Sequence, residues 1–158
     1  MMIKKKNKIF SLSIALVFAS SLFMPRAVMA QEHDTAKVYV QVAQAIPGGD
    51  AIDPRLGSIQ ADLNNTFRKA SYAELDEMRF DLALQEQQTR PLPGGSQMTV
   101  QYMGSDAGRF TLNVIMNDPN GNQILNTNFT IAKGGTIIVG GPAYKEGNLV
   151  LAIKASSK

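Results

Sequence analysis

The sequence predicts an α+β fold, a mostly antiparallel β-sheet or sandwich of about seven strands with one amphipathic helix packed on it, after an N-terminal signal segment. Three observations lead to this prediction. Apolar and polar residues alternate in several short segments, which is typical of half-buried strands. Clusters of Gly, Pro and Asn separate these segments and indicate turns. Only residues 53–69 repeat apolar side chains convincingly at helical spacing.

The first thirty residues have the three parts of a cleavable secretory signal peptide in the expected order. Four lysines form a basic head, an apolar run extends from Ile9 to Met24, and the small residues Val28 and Ala30 stand where a signal peptidase cuts. The apolar run is shorter than the roughly 20 residues of a membrane-spanning helix. We therefore expect a Sec-type signal peptide at 1–30, cleaved after Ala30, and a periplasmic or secreted product.

The mature chain is expected to comprise a flexible N-terminal tail at 31–36 and a single β-rich domain at 37–158. The whole chain has 16 basic and 13 acidic residues, but five of the basic residues and none of the acidic ones lie in 1–30. The mature chain therefore has 11 basic and 13 acidic residues, a net charge of −2, and no clustered basic patch for nucleic acid. Because the sequence has no cysteine, disulfides, thiolate metal sites and a lipid-modified cysteine are excluded.

The first predicted strand, 37–45, is followed by a Gly-rich loop and by the predicted helix at 53–69. Asp53 is a preferred cap residue, and Pro54 suits the first helical position. The apolar face of the helix consists of Leu56, Ile59, Leu63 and Phe67.

Residues 71–84 are predicted to be extended, with a helix as the rival interpretation. Apolar residues alternate from Met78 to Leu84, but the phase slips between Leu75 and Met78. This slip indicates a bulge or bend near Asp76. Alternation and turn signals predict the remaining strands at 98–102, 110–116, 125–131, 136–139 and 149–154.

No residue is assigned a catalytic, cofactor-binding or metal-binding role from the sequence, and we expect a non-enzyme without a cofactor. The only histidine, His33, lies in the predicted tail, where no structure holds a general base in place. Four carboxylates are interpreted as a solvated strand face, namely Glu74, Asp76, Glu77 and Asp81. Asp118, Asn120 and Asn122 lack the glycine and glutamate positions of a calcium-binding loop and are interpreted as a hairpin turn.

The segment 129–155, FTIAKGGTIIVGGPAYKEGNLVLAIKA, resembles a β-hairpin of bacterial secretins, the outer-membrane channels of secretion and pilus systems. The pattern KGGTIIVGG at 133–141 carries the resemblance, which implies a strand, a Gly-rich turn and an apolar strand. The chain is much shorter than a secretin, so no functional residue is carried over. As a whole, the chain is similar to small exported proteins of unknown function from Gram-negative bacteria.

These observations favour an exported non-catalytic protein-binding or structural domain, such as an accessory subunit of a cell-envelope or secretion assembly. The expected partner is an envelope protein or a second copy, bound through a strand edge. The apolar segments 136–139 and 149–153 are candidates if either forms an edge strand, although their composition is more typical of ordinary core strands. The alternative is a periplasmic small-ligand-binding module whose cavity is lined by tyrosines, of which the chain has Tyr39, Tyr72, Tyr102 and Tyr144.

Overall fold

Two four-stranded antiparallel sheets form the scaffold in the computed structural model, which describes residues 34–67 and 70–157. Sheet A has the strand order β2-β1-β8-β7, and sheet B has the order β3-β4-β5-β6. The strands are β1 (Thr35–Pro47), β2 (Ala70–Ala83), β3 (Gln87–Pro91), β4 (Gln97–Asp106), β5 (Arg109–Asn117), β6 (Gln123–Ala132), β7 (Thr136–Tyr144) and β8 (Gly147–Ser157). A 3-10 helix, Pro54–Ile59, and the α-helix α1, Gln60–Thr66, connect β1 to β2.

The main core lies between the two sheets and is built by the inward-facing residues of the alternating strands. Sheet A contributes Val38, Val40, Val42, Phe80, Leu82, Leu149, Leu151 and Ile153, and sheet B contributes Met98, Val100, Tyr102, Phe110, Leu112, Val114, Met116 and Ile131. Because successive side chains of a strand point to opposite faces, the apolar alternation in the sequence is enough to specify this layer. The prediction of a mostly antiparallel sandwich with helical cover is confirmed.

A second, smaller core lies on the outer face of sheet A, beneath the helical segment. Leu56, Ile59 and Leu63 are buried there against residues of the sheet that are mostly small, together with one tyrosine, namely Ala43, Ala45, Val150, Ala152 and Tyr72. Three alanines at these positions leave room for the helical backbone to approach the sheet.

The helical segment begins at the predicted cap but is shorter and less regular than the predicted helix at 53–69. The Asp53 carboxylate accepts a hydrogen bond from the backbone N–H of Arg55, which makes Asp53 the cap of the 3-10 helix. Gly57 is a weak helix former, and the first six residues take the tighter 3-10 form. The α-helix ends at Thr66 because Phe67 is extended. Residues 68 and 69 lie outside the described residues.

Residues 71–84 are strand rather than helix, since β2 covers Ala70–Ala83. The predicted phase slip is present as a bulge in β2. Val42 of β1 pairs with Asp76 and Ala43 pairs with Glu74, so Leu75 is the extra residue. The bulge turns Met78 toward the main core and Tyr72 toward the second core, so that one strand serves both.

Three sequence-based predictions need correction, namely the number of strands, the start of the first strand and the end of the strand predicted at 136–139. The described chain has eight strands rather than about seven, because β3 was not predicted. The first strand begins at Thr35, and Ala36 is fully buried between Leu82 and Ser157. Thr35 and Ala36 therefore belong to β1 and not to the predicted tail at 31–36. The apolar strand predicted at 136–139 continues to Tyr144 through a register shift after Gly140.

The predicted signal peptide, its cleavage site and His33 lie outside the described residues. Within the described ranges, none of the helical segments has the length and apolar character needed to cross a membrane.

Candidate functional site

Each of the two sheets ends in two edge strands, β2 and β7 in sheet A and β3 and β6 in sheet B. An edge strand carries backbone N–H and C=O groups without a neighbour, and another chain can pair with them. Proteins usually protect such edges with charges, proline, bulges or short length. The four edges of this sandwich differ sharply in this respect.

Three of the edges carry recognisable protection. Strand β2 exposes the charged residues Glu77, Arg79 and Asp81 along its length. Strand β3 is only five residues long and ends in Pro91, which has no N–H to donate. Strand β7 is interrupted by the register shift between Gly140 and Ala143. These features discourage a further strand from pairing at β2, β3 or β7.

Strand β6 has almost none of these devices. Its ten residues, QILNTNFTIA, include no charge, no proline and no glycine, and five of them are β-branched or aromatic residues, which favour extended structure. A register shift that leaves Ile124 as the extra residue is confined to the start of the strand. The side chain of Ile124 is 46% exposed, one of the few large apolar side chains at the described surface.

The sandwich is also incompletely closed on the side where β6 and β7 lie. Leu125 and Phe129 of β6 face the main core but are only partly buried, as are Ile137 and Tyr144 of β7. A surface groove of about 480 Å³ separates the start of β6 from the middle of β7, with Pro142 among its lining residues. Apolar surface at this edge is therefore available to a partner chain.

The outer face of sheet B next to this edge is polar but nearly uncharged. Gln87, Gln101, Asn113 and Asn128 occupy directly paired positions on β3, β4, β5 and β6, so an amide row crosses the whole sheet. The Nδ2 of Asn113 donates to the Oδ1 of Asn126 at 2.9 Å and to the Oδ1 of Asn128 at 2.8 Å. These two bonds orient the side-chain amides of Asn126 and Asn128, whose oxygen atoms accept hydrogen bonds from β5.

A second cluster of polar groups joins the helical segment to sheet A. Arg55 makes an ion pair with Asp53 at 2.7 Å and lies 3.8 Å from the carboxylate of Glu74. The side-chain and backbone hydrogen bonds from Arg55 lower the pKa of Asp53 to about 2. The buried Nε2 of Gln41 donates to the Arg55 carbonyl and to Glu74, while its Oε1 has no described partner. The cluster holds the 3-10 helix on the sheet.

The four tyrosines do not line a common cavity. Tyr72 is buried in the second core and Tyr102 in the main core, where its hydroxyl donates to the Asp34 carboxylate at 2.6 Å. Tyr144 lies at the end of β7. Tyr39 lies in an open groove of about 530 Å³ on the outer face of sheet A.

The groove at Tyr39 has mixed charge. Its walls include Lys37, Arg79, Asp81 and Lys154. Burial, and after it the nearby Glu77 carboxylate, raise the pKa of Tyr39 to about 12.

The remaining polar residues considered in the sequence analysis lie on β2 and in the β5–β6 turn. The interpretation of a solvated strand face is wrong for Glu74, whose side chain is buried in the Arg55 cluster, whereas Asp76, Glu77 and Asp81 are exposed on β2. The Asp118 carboxylate accepts hydrogen bonds from the backbone N–H groups of Asn120 and Asn122 in the β5–β6 turn. A hydrogen bond from the Asn122 side-chain amide, together with these backbone bonds, lowers the pKa of Asp118.

One of the two predicted edge segments is not at an edge. Residues 149–153 belong to β8, which pairs with β1 on one side and β7 on the other. Residues 136–139 do lie in an edge strand, β7, but that strand is interrupted after Gly140. The open edge at β6 was missed, although the absence of charge from 123–132 was visible in the sequence.

Comparison with known protein families, with curated proteins and with solved structures finds no match to this chain. The sheet edges and surface grooves described above are therefore the features that bear on its function.

Proposed function

We propose that this protein is an exported, non-catalytic protein-binding domain of a cell-envelope or secretion assembly, and that it takes up a partner strand along β6. The observation that supports this proposal is the contrast among the four edges of the described sandwich. Three carry charge, proline or a central bulge, and β6 presents a long neutral edge. A protein under selection to stay monomeric would be expected to protect this edge as well.

A partner strand at β6 would extend sheet B by backbone hydrogen bonds. Alternate residues of β6 direct their N–H and C=O groups away from β5, so pairing satisfies groups that otherwise face water. The inward side chains of the added strand would cover Leu125 and Phe129, and its outward side chains would lie beside Asn126 and Asn128. The expected partner segment is therefore extended, alternates apolar and neutral polar residues, and carries little charge.

Site-specific photo-crosslinking tests this assignment. A benzophenone amino acid at Asn126 in β6 is expected to crosslink to protein in intact cells, whereas the same group at Arg79 on the β2 edge is the matched control. Hydrogen exchange on the purified complex should show new protection in β6 and none in β2, β3 or β7. Crosslinking that is equal at both positions, or protection confined to another edge, would contradict the proposal.

Export rests on the signal segment at 1–30 and has its own test. Mass spectrometry of the protein recovered from cell fractions is expected to give a mature N-terminus at Gln31 in the periplasmic or extracellular fraction. A cytoplasmic protein that retains residues 1–30 would contradict export without affecting the β6 assignment.

A small-ligand-binding module is the second candidate function, favoured by the open groove of about 530 Å³ at Tyr39. A volume of this size is within the range of small-molecule sites, but such sites are mostly apolar and more enclosed. Screening of metabolites by thermal shift, with Tyr39→Ala as the control, tests it. A ligand whose stabilising effect survives Tyr39→Ala does not bind in this groove.

A further inference from the structure

We infer that the strand that pairs with β6 is β6 of a second copy of this chain, in antiparallel orientation about a two-fold axis at Asn128. This inference rests on the proposed binding at β6 and names the partner. The two B sheets would then join into one continuous eight-stranded sheet. Three properties of β6 support self-pairing, namely the alternation of its inward-facing and outward-facing side chains, the positions of its amides and the charges near its ends.

The alternation of inward-facing and outward-facing side chains along β6 is compatible with self-pairing. In an antiparallel pair centred on Asn128, Thr127 of one copy lies opposite Phe129 of the second copy, and Leu125 lies opposite Ile131. All four residues face the main core of their own sandwich, because they pair with the inward-facing residues of β5. The apolar side of each strand therefore meets the apolar side of the other, and Leu125 and Phe129 gain cover from the second copy.

The amide row on the outer face continues across the same axis. In each copy, the Oδ1 of Asn128 accepts from Asn113, and no described residue accepts a hydrogen bond from its Nδ2. In a pair centred on Asn128, the two Asn128 side chains stand side by side, and each Nδ2 can donate to the Oδ1 of the other copy. The hydrogen-bonded amides of Asn113 and Asn128 from the two copies then form a ladder across the four strands at the junction. Such ladders add to the stability of paired strands.

The charges near β6 are complementary to those of a second copy. The ten residues of the strand are uncharged, so no like charges meet along the pairing line. Beyond its end, the exposed Lys133 comes beside the β5–β6 turn of the second copy, which carries Asp118. Two strand spacings, about 10 Å, would separate the two residues, within the combined reach of their side chains. The symmetry creates this attraction twice, once at each end.

Cysteine crosslinking measures the contact and its register, and the chain has no native cysteine to interfere. Opposed residues in an antiparallel pair have Cα atoms about 4.5–5.5 Å apart, within the range that a disulfide spans. Asn128→Cys is therefore expected to give a covalent dimer under mild oxidation. Asn113→Cys is the matched control on the same row. Asn113 lies on β5, one strand further from the axis, so the Cα atoms of the two copies of this residue would be about 15 Å apart.

The register predicts a second, asymmetric result. Asn126→Cys should not crosslink with itself, but a mixture of Asn126→Cys and Thr130→Cys should give a mixed dimer. A crosslinking rate for Asn128→Cys no greater than for Asn113→Cys overturns the inference. Efficient self-crosslinking of Asn126→Cys overturns the register that defines it.

Sedimentation provides a readout that does not depend on cysteine. The mature wild-type domain is expected to show a concentration-dependent dimer, and Asn128→Lys and Asn128→Asp should each be monomeric because like charges meet at the axis. A mixture of the two variants should restore association. Self-pairing is wrong if Asn128→Cys forms no dimer and the mixture of Asn128→Lys and Asn128→Asp does not associate. In that case the proposed function still stands if the benzophenone at Asn126 captures a different protein. If no protein is captured either, both fail.

Discussion

Replacement of Leu63 by alanine tests whether the helical segment contributes to the stability of the sandwich. Leu63 is the only buried residue of α1 and is fully shielded from solvent in the second core. An α-helix of seven residues has negligible stability of its own in water, so its attachment depends on this packing. Leu63→Ala removes the apolar contact and leaves a cavity beneath the helix.

The expected loss in free energy of unfolding is about 2–3 kcal/mol, toward the lower end of the range for buried Leu→Ala changes. The lower end applies because the second core is close to the surface and α1 can shift to reduce the cavity. With a urea m-value of about 1.5 kcal/mol per molar, the midpoint of unfolding should fall by roughly 1.3–2 M. Equilibrium urea denaturation monitored by circular dichroism measures this shift.

The neighbouring substitution Asn64→Ala is the matched control. Asn64 is exposed on the same helix, and its replacement should change the unfolding free energy by no more than about 0.5 kcal/mol. Equal midpoints for Leu63→Ala and Asn64→Ala would refute the role assigned to the second core. Such a result would mean that α1 is not packed on sheet A in solution.

Three further predictions concern a glycine and two titrating groups. A Cβ at Gly147 would overlap the backbone carbonyl oxygen of Ala45, so Gly147→Ala should lower the unfolding free energy by about 3 kcal/mol in urea melts. Gly57→Ala is the control, because a Cβ at Gly57 meets open space and alanine is the better helix former, so this change should raise the unfolding free energy by up to about 1 kcal/mol. The pKa of Asp53 is about 2 in the fold against 3.8 ordinarily, so its stabilising contribution is present above pH 3.8 and is lost as the pH falls toward 2. Asp53→Asn should flatten the acid limb of the stability profile, and an unchanged limb would contradict the ion pair with Arg55. The pKa of Tyr39 is about 12 against 10.0 ordinarily, so its contribution is complete below pH 10 and is lost as the pH rises toward 12. Burial also raises the pKa of Tyr72 and of Tyr102, so absorbance titration of phenolate should show one fewer late-ionising tyrosine in Tyr39→Phe than in the wild type.

Much of the sandwich could be predicted because its strands have one buried and one exposed face. Alternation from Phe110 to Met116 and from Leu125 to Ile131 identified β5 and β6, since each step of two residues returns to the core. The same logic located the bulge in β2, because an extra residue inverts the phase. Strand β3 could not be found this way, because its residues Gln87–Pro91 are mostly exposed on both faces and leave no apolar rhythm.

The candidate site was harder to predict because an edge is a property of strand order. The apolar composition of 149–153 reflects a strand covered on both faces, by the main core and by the helical segment, and not an exposed edge. Nothing in the local sequence states that β8 lies between β1 and β7. Once the order is known, the lack of charge in β6 becomes informative, because only edge strands need protection from other chains.

The pairing of β1 with β8 has a consequence for the order of folding. Ala36 is the Cα partner of Ser157, so the first and last strands of the described chain are adjacent in the centre of sheet A. A chain emerging from the ribosome therefore cannot complete this sheet until its last strand has been synthesised. Contacts between residues so distant in sequence also slow folding. Slow, end-dependent folding would keep the newly made chain extended for longer, which is compatible with the proposed export.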